Sequence, residues 1–327
     1  MKKSVFNSAK IAFGCVASIA LCSLLGLKYS LSAGLLTVLS IQDTKRETIN
    51  TALKRLCAFF CAFTIACICF NSMGYSTLAF GIYLFIFVNI CIIMEWKIAI
   101  VPVSVLVTHL VSEQSTDIML IINEFLLFTI GACTGMLINM HLHSNTKKMS
   151  QCRKNLDEEI KAVLERMSER IITGDKTDYN GDCFKRIDSL MFEAQKTARE
   201  NFDNKLMNPQ TYDIEYLGMR KKQCSILYEM YRNILKTDTP PEQAGIISDF
   251  LKKISLEYHE QNDVKKLIGS LDEIFLRMQS QPMPHTRPEF QNRALLYSFM
   301  LLMKDFLLLK YEFICRINSD SAGKKKK

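Results

Sequence analysis

Charged residues are scarce in the first part of the chain. Residues 1–143 contain only 15 Lys, Arg, Asp and Glu, about 10% of that segment, whereas residues 144–327 contain 59, about 32%. A single water-soluble domain does not segregate its charge in this way, and the abundant Leu, Ile, Phe and Met of both parts exclude disorder. The sequence therefore predicts a transmembrane domain over 1–143, a cytosolic domain over 144–317 and a basic tail over 318–327.

Motifs of enzymes and metal sites are also missing. The chain has 12 cysteines but no CxxC pair and no Cys/His cluster at zinc spacing. Nothing resembles a nucleotide-binding GxxxxGKS/T loop, a GxSxG elbow or a HExxH helix. We therefore predict no enzyme, no metal and no cofactor. Any solute movement would draw on an ion gradient, the membrane potential or a partner protein.

Six apolar stretches are the candidate membrane spans, at residues 11–27, 31–41, 56–70, 76–94, 98–111 and 118–140. A helix needs about 20 residues to cross the hydrocarbon core, so 76–94 and 118–140 are long enough alone. The stretch 31–41 would cover only about 17 Å. It is predicted to be a half-helix, a re-entrant segment or a span completed by the residues that follow it, and it must be covered by protein.

Basic residues set the expected orientation, because Lys and Arg favour the cytoplasmic side. They cluster before the first stretch and after the second, fourth and sixth, at Lys2, Lys3, Lys10, Lys45, Arg46, Lys54, Arg55, Lys97, Lys147, Lys148, Arg153 and Lys154. Six crossings with both termini in the cytoplasm satisfy every loop. A cleaved signal peptide is the less favoured alternative, since its removal would leave the basic 45–55 segment on the wrong side.

The second half has the three- and four-residue apolar spacing of amphipathic helices, punctuated by Gly and Pro. The predicted helices cover 149–172, 183–205, 213–236, 242–261, 264–279 and 289–317. The apolar stretch 294–309 resembles a seventh span, but Lys304 and Asp305 near its middle would be costly in lipid. Few β-branched alternations occur, so the whole chain is predicted to be all-α, with a helical bundle after the membrane domain.

Several blocks resemble a known family. The membrane half contains AKIAFGCVASIALCSLLGLKYSLSAGLLTVLSIQDTKRET, VPVSVLVTHLVSEQS and INEFLLFTIGACTGMLINMHL, and the second half contains YLGMRKKQCSILYEM and PMPHTRPEFQNRALLY. These blocks are similar to the Gram-positive, fusaric-acid-resistance-like branch of the aromatic acid exporter family and to its C-terminal domain. After the last span the family usually has Asn-Leu-Tyr-Met-Pro, whereas this chain has Asn139-Met140-His141-Leu142-His143 and so lacks the proline. Pro288 stands where an acidic residue is common.

The resemblance implies a function and a location. It implies a multi-pass protein of the bacterial plasma membrane with six spans, a cytosolic helical domain and an export activity toward small aromatic carboxylic acids. The expected partners are that substrate, the lipid bilayer and further copies of the chain as a homo-oligomer. The four lysines that end the basic tail, Lys324–Lys327, fit anionic lipid better than nucleic acid, because no basic face is interleaved with aromatic residues.

Polar side chains inside the apolar stretches are the candidates for a transport pathway. Glu124 and His109 lie at similar depth in the last two stretches, so they can approach across a short loop as a proton-sensitive pair. Ser104 and Thr108, four residues apart, can add hydroxyls to a cavity that takes an aromatic carboxylate, and Asn89 is a further candidate. The alternatives are structural: an interfacial histidine, hydroxyls bonded to their own helix, and polar pairs between helices.

Two short motifs predict helix packing and a gate. Gly131 and Gly135 form a GxxxG step that permits close helix approach, within the subunit or across a dimer. Gln42, Asp43 and Lys45 end the second stretch, where they can form a cytoplasmic gate or simply cap a helix and anchor it.

Two functions remain open from the sequence. The favoured one is gradient-driven or passive export of small aromatic acids. The alternative is a membrane-anchored helical adaptor or sensor that transports nothing and whose cytosolic bundle binds a partner. A polar path between the spans would favour the exporter, whereas tightly packed Leu and Phe would favour the adaptor.

Overall fold

Helices account for all regular structure in the part of the chain that the computed structural model describes. That part covers residues 2–140, 145–175, 180–207, 209–236, 243–260, 262 and 264–324, with side chains from 8 to 319. The α-helices are α1 Lys2–Leu24, α2 Ser30–Ser40, α3 Lys45–Met73, α4 Thr77–Ile93, α5 Ile100–Glu113, α6 Ile118–Asn139, α7 Thr146–Thr173, α8 Asp182–Asn204, α9 Tyr212–Lys236, α10 Ala244–Glu257, α11 Lys265–Gln279 and α12 Arg287–Lys324. The all-α prediction is therefore confirmed over these residues.

Among the described residues, two helices, α3 and α6, are long and apolar enough to cross a bilayer. The helix α4 has 17 residues, fewer than the apolar stretch 76–94 predicts, and α2 has 11. The stretch 56–70 is only the middle of α3. This helix begins at Lys45 because the Thr44 hydroxyl accepts a hydrogen bond from the Glu47 N–H at 3.3 Å, which caps its first turn. The number of crossings stays a prediction.

The contacts divide the chain into two units, Met1–Ser144 with Glu200–Pro209, and Asn145–Arg199 with Gln210–Lys327. In the first, which we call unit 1, the short helix α2 packs closely against α1 and α6. Its close approach to α6 occurs at Gly131 and Gly135, where an added Cβ would lie 2.7 Å from the Cβ atoms of Leu36 and Ser40. The GxxxG step therefore serves packing within the subunit.

Aromatic side chains form the core of unit 1 beside α2. The rings of Phe59 and Phe63 on α3 stack with centroids 4.2 Å apart, and Phe59 also stacks on Phe128 of α6 at 5.6 Å. Tyr83 and Phe87 of α4 are fully buried in the same cluster.

The second unit, unit 2, is a bundle of α7 to α12 in which α7 packs on α10, and α9 packs on α12. One face of the apolar stretch 294–309 belongs to its core: Leu296, Phe299, Met300, Met303 and Phe306 are buried there, whereas Tyr297 and Leu301 are exposed. Lys304 pairs with Asp272 at 2.8 Å. The helix α12 continues to Lys324, through residues assigned to the basic tail, and 325–327 lie outside the described residues.

The core of unit 2 contains a buried ionic network. Arg220 is fully buried, and its Nε lies 3.1 Å from Oδ1 of Asp157. The Tyr216 hydroxyl donates to both carboxylate oxygens of Asp157 at 3.1 and 3.0 Å, and the guanidinium stacks on the rings of Tyr216 and Tyr258. The charge of Arg220 is thus paired, and it ties α7 to α9.

Candidate functional site

His109 and Glu124 are in contact. His109 lies near the end of α5 and Glu124 near the start of α6, and the four residues 114–117 connect the two helices. His109 Nδ1 lies 2.7 Å from Glu124 Oε2. His109 is 8% exposed and Glu124 is 0% exposed, so the structure brings together the two ionisable groups that the sequence places at similar depth.

The geometry constrains the protons of this pair. An ionised carboxylate only accepts hydrogen bonds, so Nδ1 must carry a proton whenever Glu124 is ionised. The second ring nitrogen, Nε2, lies 3.3 Å from the hydroxyl of Ser32 on α2. A neutral imidazole then accepts from Ser32, whereas an imidazolium donates to it. The Ser32 hydroxyl of α2 can therefore bond to the imidazole in either protonation state, with the direction of the hydrogen bond reversed.

Tyr29, directly before the first residue of α2, covers one face of the imidazole ring of His109. The two rings stack with centroids 4.0 Å apart and planes inclined by only 5°. Tyr29 has φ 61° and ψ 32°, the left-handed conformation that a residue with a bulky side chain rarely adopts. Backbone strain of this kind persists only where surrounding contacts impose it, and it is frequent at functional sites.

Asn123 completes the surroundings of Glu124. Its Nδ2 donates to Glu124 Oε1 at 3.0 Å and to the Lys28 carbonyl at 3.1 Å, while its Oδ1 accepts from the Lys28 N–H at 2.9 Å. Both carboxylate oxygens of Glu124 therefore have a donor. Lys28 also pairs with Glu113 at 2.8 Å, and the Tyr29 hydroxyl donates to the same carboxylate at 3.1 Å.

Sequence reasoning missed three of these residues: Ser32, Tyr29 and Asn123. Asn123 could have been found from the sequence, since a polar amide directly before Glu124 in an apolar stretch is expected to form hydrogen bonds with polar neighbours. Ser32 and Tyr29 could not have been found, because their contribution depends on how α2 packs against α5.

Three predicted pathway residues lie elsewhere. Thr108 is exposed and its hydroxyl donates to the Val105 carbonyl of its own helix at 2.6 Å. The Ser104 hydroxyl is buried and makes no hydrogen bond within the described residues. Asn89 is also exposed and its amide donates to Phe85 one turn back at 2.7 Å, so it makes no bond to another helix there. In the described structure the hydroxyls of Ser104 and Thr108 make no hydrogen bond to His109 or Glu124.

The predicted gate residues lie at the connection between α2 and α3. Asn139, at the end of α6, is 5% exposed and donates to the Gln42 carbonyl at 2.7 Å and to the Thr48 hydroxyl at 2.5 Å. Asp43 is exposed, and Lys45 is half-buried at the first position of α3. The connection is thus fixed by a buried amide that the sequence did not single out.

An apolar groove runs between α3 and α6. It has a volume of about 600 Å³ and is lined by Phe59, Phe60, Phe63, Thr64, Cys67, Ile68, Ile121, Ile122 and Phe125. Four of these nine residues are phenylalanines, so an aromatic ring would find complementary faces in it. Within the described residues, no group of three His, Cys, Asp or Glu side chains is arranged to hold a metal ion.

The two halves of the chain match two family models. The model described as "Aromatic acid exporter family member 1" matches residues 3–142, and "Putative aromatic acid exporter C-terminal domain" matches residues 146–311. Among curated proteins, "Uncharacterized protein YqjA" of Bacillus subtilis (strain 168) is 26% identical over 313 residues, covering 96% of this chain and 97% of that protein.

A solved structure is similar to part of the chain. It is titled "Crystal structure of putative membrane protein from Clostridium difficile 630"; it is 27% identical, covers 51% of this chain and 99% of its own, and has a TM-score of 0.46. The family matches follow one another along almost the whole sequence, in the order of the two units. The chain belongs to the aromatic acid exporter family and is a membrane protein.

Proposed function

We propose that the protein exports small aromatic carboxylic acids across the bacterial plasma membrane, driven by an ion gradient or passively, without hydrolysing a nucleotide. Family membership supports export, and the contact between His109 and Glu124 is the observation that supports a proton-coupled mechanism. A carboxylate with no exposed surface among apolar helices is costly unless it is paired, and such groups mark ion and substrate pathways.

In this proposal α1 to α6 cross the bilayer, and both chain termini lie in the cytoplasm. The distribution of Lys and Arg between the loops supports this orientation. The 11 residues of α2 would span only about 17 Å, but α2 packs closely against α1 and α6, so this short helix is partly covered by protein.

The buried pair provides a means of coupling export to protons. Addition of one proton changes the charge of the pair from negative to neutral, or from neutral to positive. The hydrogen bond between His109 and Ser32 can reverse its direction with the protonation of the imidazole, and Tyr29 covers the same ring. Since Ser32 and Tyr29 belong to the start of α2, a proton that binds the pair can change how α2 packs.

Efflux from vesicles tests the proposal. Vesicles that contain the wild-type protein should release radiolabelled benzoate faster when a pH gradient is imposed, and Glu124→Gln should abolish the response to the gradient. Asp117→Asn is the matched control, because Asp117 is an exposed acid that caps the same helix and Asn also caps well.

The outcomes separate three conclusions. Unchanged benzoate efflux by Glu124→Gln, at wild-type expression, would remove Glu124 from the mechanism while export stands. An equal loss in Asp117→Asn would assign the effect to general charge at that end of α6. No efflux of any aromatic acid by the wild-type protein would favour the adaptor.

A further inference from the structure

Arg55 of α3 is buried in unit 1 at the end of α2 opposite to His109. Arg55 is 3% exposed. Its Nε donates to the Ile98 carbonyl at 3.3 Å, and its Nη1 donates to the Ser40 hydroxyl at 3.3 Å. Both bonds are long and both acceptors are neutral, while a guanidinium has five N–H donors and stays charged in proteins.

No carboxylate in the described part of the chain lies within 4.0 Å of the Arg55 guanidinium. Asp43 and Glu47, the acids nearest to it in the α2–α3 region, are both exposed. Arg220 in unit 2 provides a contrast, since this arginine is also buried but has Asp157 at 3.1 Å. A buried charge without a counter-ion is unfavourable, so an anion at Arg55 would lower its free energy.

The carboxyl end of α2 offsets only part of this cost. The Ser40 hydroxyl lies at the last position of α2, where the helix dipole supplies the equivalent of about half a negative charge. A carboxylate would supply a full charge and two oxygens, which match two N–H groups of the planar guanidinium. The chemistry of Arg55 therefore selects a carboxylate over a neutral polar group.

The neighbouring turn of α3 provides aromatic surface. Phe59 lies four residues after Arg55 on the same helix, about 6 Å along its axis, and it lines the apolar groove together with Phe60, Phe63 and Phe125. A molecule with a carboxylate attached to an aromatic ring presents both groups over a similar distance. The groove is not lined by Arg55 and extends from Phe59 toward Ile121 and Phe125, so Phe59 is its part that lies one turn from the cation. Arg55 and Phe59 thus match the carboxylate and the ring of an aromatic acid.

We propose that Arg55 binds the carboxylate of the exported acid, at the end of unit 1 that the proposed orientation places toward the cytoplasm. This inference rests on the proposed function for the identity of the ligand. It adds a substrate-binding residue that is separate from the proton-binding pair, since Ser40 and Ser32, their respective contacts, are eight residues apart on α2.

Benzoate binding by the full chain tests this site. The protein is reconstituted in phosphatidylcholine nanodiscs, and binding is measured by calorimetry for wild type, Arg55→Gln and Lys54→Gln. We expect Arg55→Gln to weaken benzoate binding about tenfold or more, the effect of one hydrogen bond to a charged group. Lys54→Gln, which removes the adjacent half-buried cation, should bind like wild type, and neutral benzamide should not bind detectably.

A second variant covers a folding defect in Arg55→Gln. Arg55→Lys keeps the charge but loses the planar fork, so its affinity for benzoate should lie between wild type and Arg55→Gln. Wild-type affinity in Arg55→Gln would overturn the proposal, as would an equal loss in Lys54→Gln. Nanodiscs with phosphatidylglycerol test whether Arg55 binds a lipid phosphate instead of a carboxylate. If that lipid raises the Tm of wild type but not of Arg55→Gln, and benzoate changes the Tm of neither protein, the carboxylate assignment is wrong.

Failure of the proposed function gives a different pattern. If wild-type vesicles export no aromatic acid but benzoate binding still depends on Arg55, the site stands and export falls. If efflux is normal and Arg55→Gln exports and binds benzoate as wild type does, export stands and the Arg55 site falls.

Discussion

Ser32 and Ser40 lie eight residues apart on α2, and each contacts a different buried ionisable side chain. The Ser32 hydroxyl lies 3.3 Å from His109 Nε2, and the Ser40 hydroxyl accepts from Arg55 Nη1 at 3.3 Å. At 1.5 Å per residue the two serines are about 12 Å apart along the helix. One short helix therefore connects a titratable pair at one end of unit 1 with an unpaired cation at the other.

Two substitutions of His109 separate its two hydrogen bonds. An Asn side chain places its amide near the position of Nδ1, whereas Gln reaches toward that of Nε2. We expect His109→Asn to keep a donor for Glu124 and to lose about 1 kcal/mol of stability. His109→Gln leaves the buried carboxylate without its partner and should lose about 3 kcal/mol or more. Thermal unfolding of the purified chain in detergent measures the difference, and equal losses would contradict the assigned geometry.

The close packing of α2 on α6 makes Gly135 intolerant of a larger side chain. An added Cβ would lie 2.7 Å from Ser40 Cβ and 2.9 Å from the Thr37 carbonyl oxygen. Gly135→Ala should therefore destabilise unit 1 by about 1–3 kcal/mol through overpacking. Gly81→Ala is the control, because nothing lies within 4 Å of a Cβ there, and it should leave Tm unchanged or slightly raised. A shared decrease in both variants would point to a general effect of glycine replacement.

The sequence predicted helices well where periodicity and punctuation agree. The helix predicted at 149–172 is observed at Thr146–Thr173, and that predicted at 264–279 is observed at Lys265–Gln279. In unit 1 the apolar stretches predicted the helix ends less well. Hydrophobicity indicates which residues are surrounded by lipid or protein, whereas the ends of a helix depend on its capping residues. Thr44 illustrates this, because its capping bond starts α3 eleven residues before the apolar stretch.

The site was predictable only in part, for a geometric reason. His109 and Glu124 could be paired from sequence because they flank a short connection at equal depth. Thr108 could not share that cavity, since neighbouring residues on a helix point about 100° apart. Arg55 belongs to a basic segment beside an apolar stretch. Its burial depends on the packing of α2 and residues 97–99 around it, and no local sequence pattern predicts that packing.

The ionic network of unit 2 predicts a large effect at Asp157. Asp157→Asn would leave Arg220, which is 0% exposed, without a counter-ion and should cost about 3–5 kcal/mol. Glu158→Gln is the neighbouring control; its side chain is 70% exposed, pairs with Lys161 and should change stability by less than about 1 kcal/mol. Urea unfolding of the full chain, followed by circular dichroism, compares the two. Equal midpoints would mean that the tyrosine rings and the Gln223 side chain, which accepts from Arg220 at 2.7 Å, stabilise the guanidinium without Asp157.

Glu289, in the first turn of α12, predicts a dependence of stability on pH. The backbone N–H of His285 donates to its carboxylate at 2.9 Å, and this bond, followed by the charge of Arg293, lowers the pKa of Glu289 below its ordinary 4.5. The folded protein thus binds this proton less readily than the unfolded chain, so the stabilisation is complete above 4.5 and disappears as pH falls through the lowered value. Glu289→Gln should have a lower Tm at pH 7 and approach wild type in acid. Asp305→Asn, an exposed change in the middle of α12, should show no such convergence, and a constant Tm difference for Glu289→Gln across this range would refute the role of its charge.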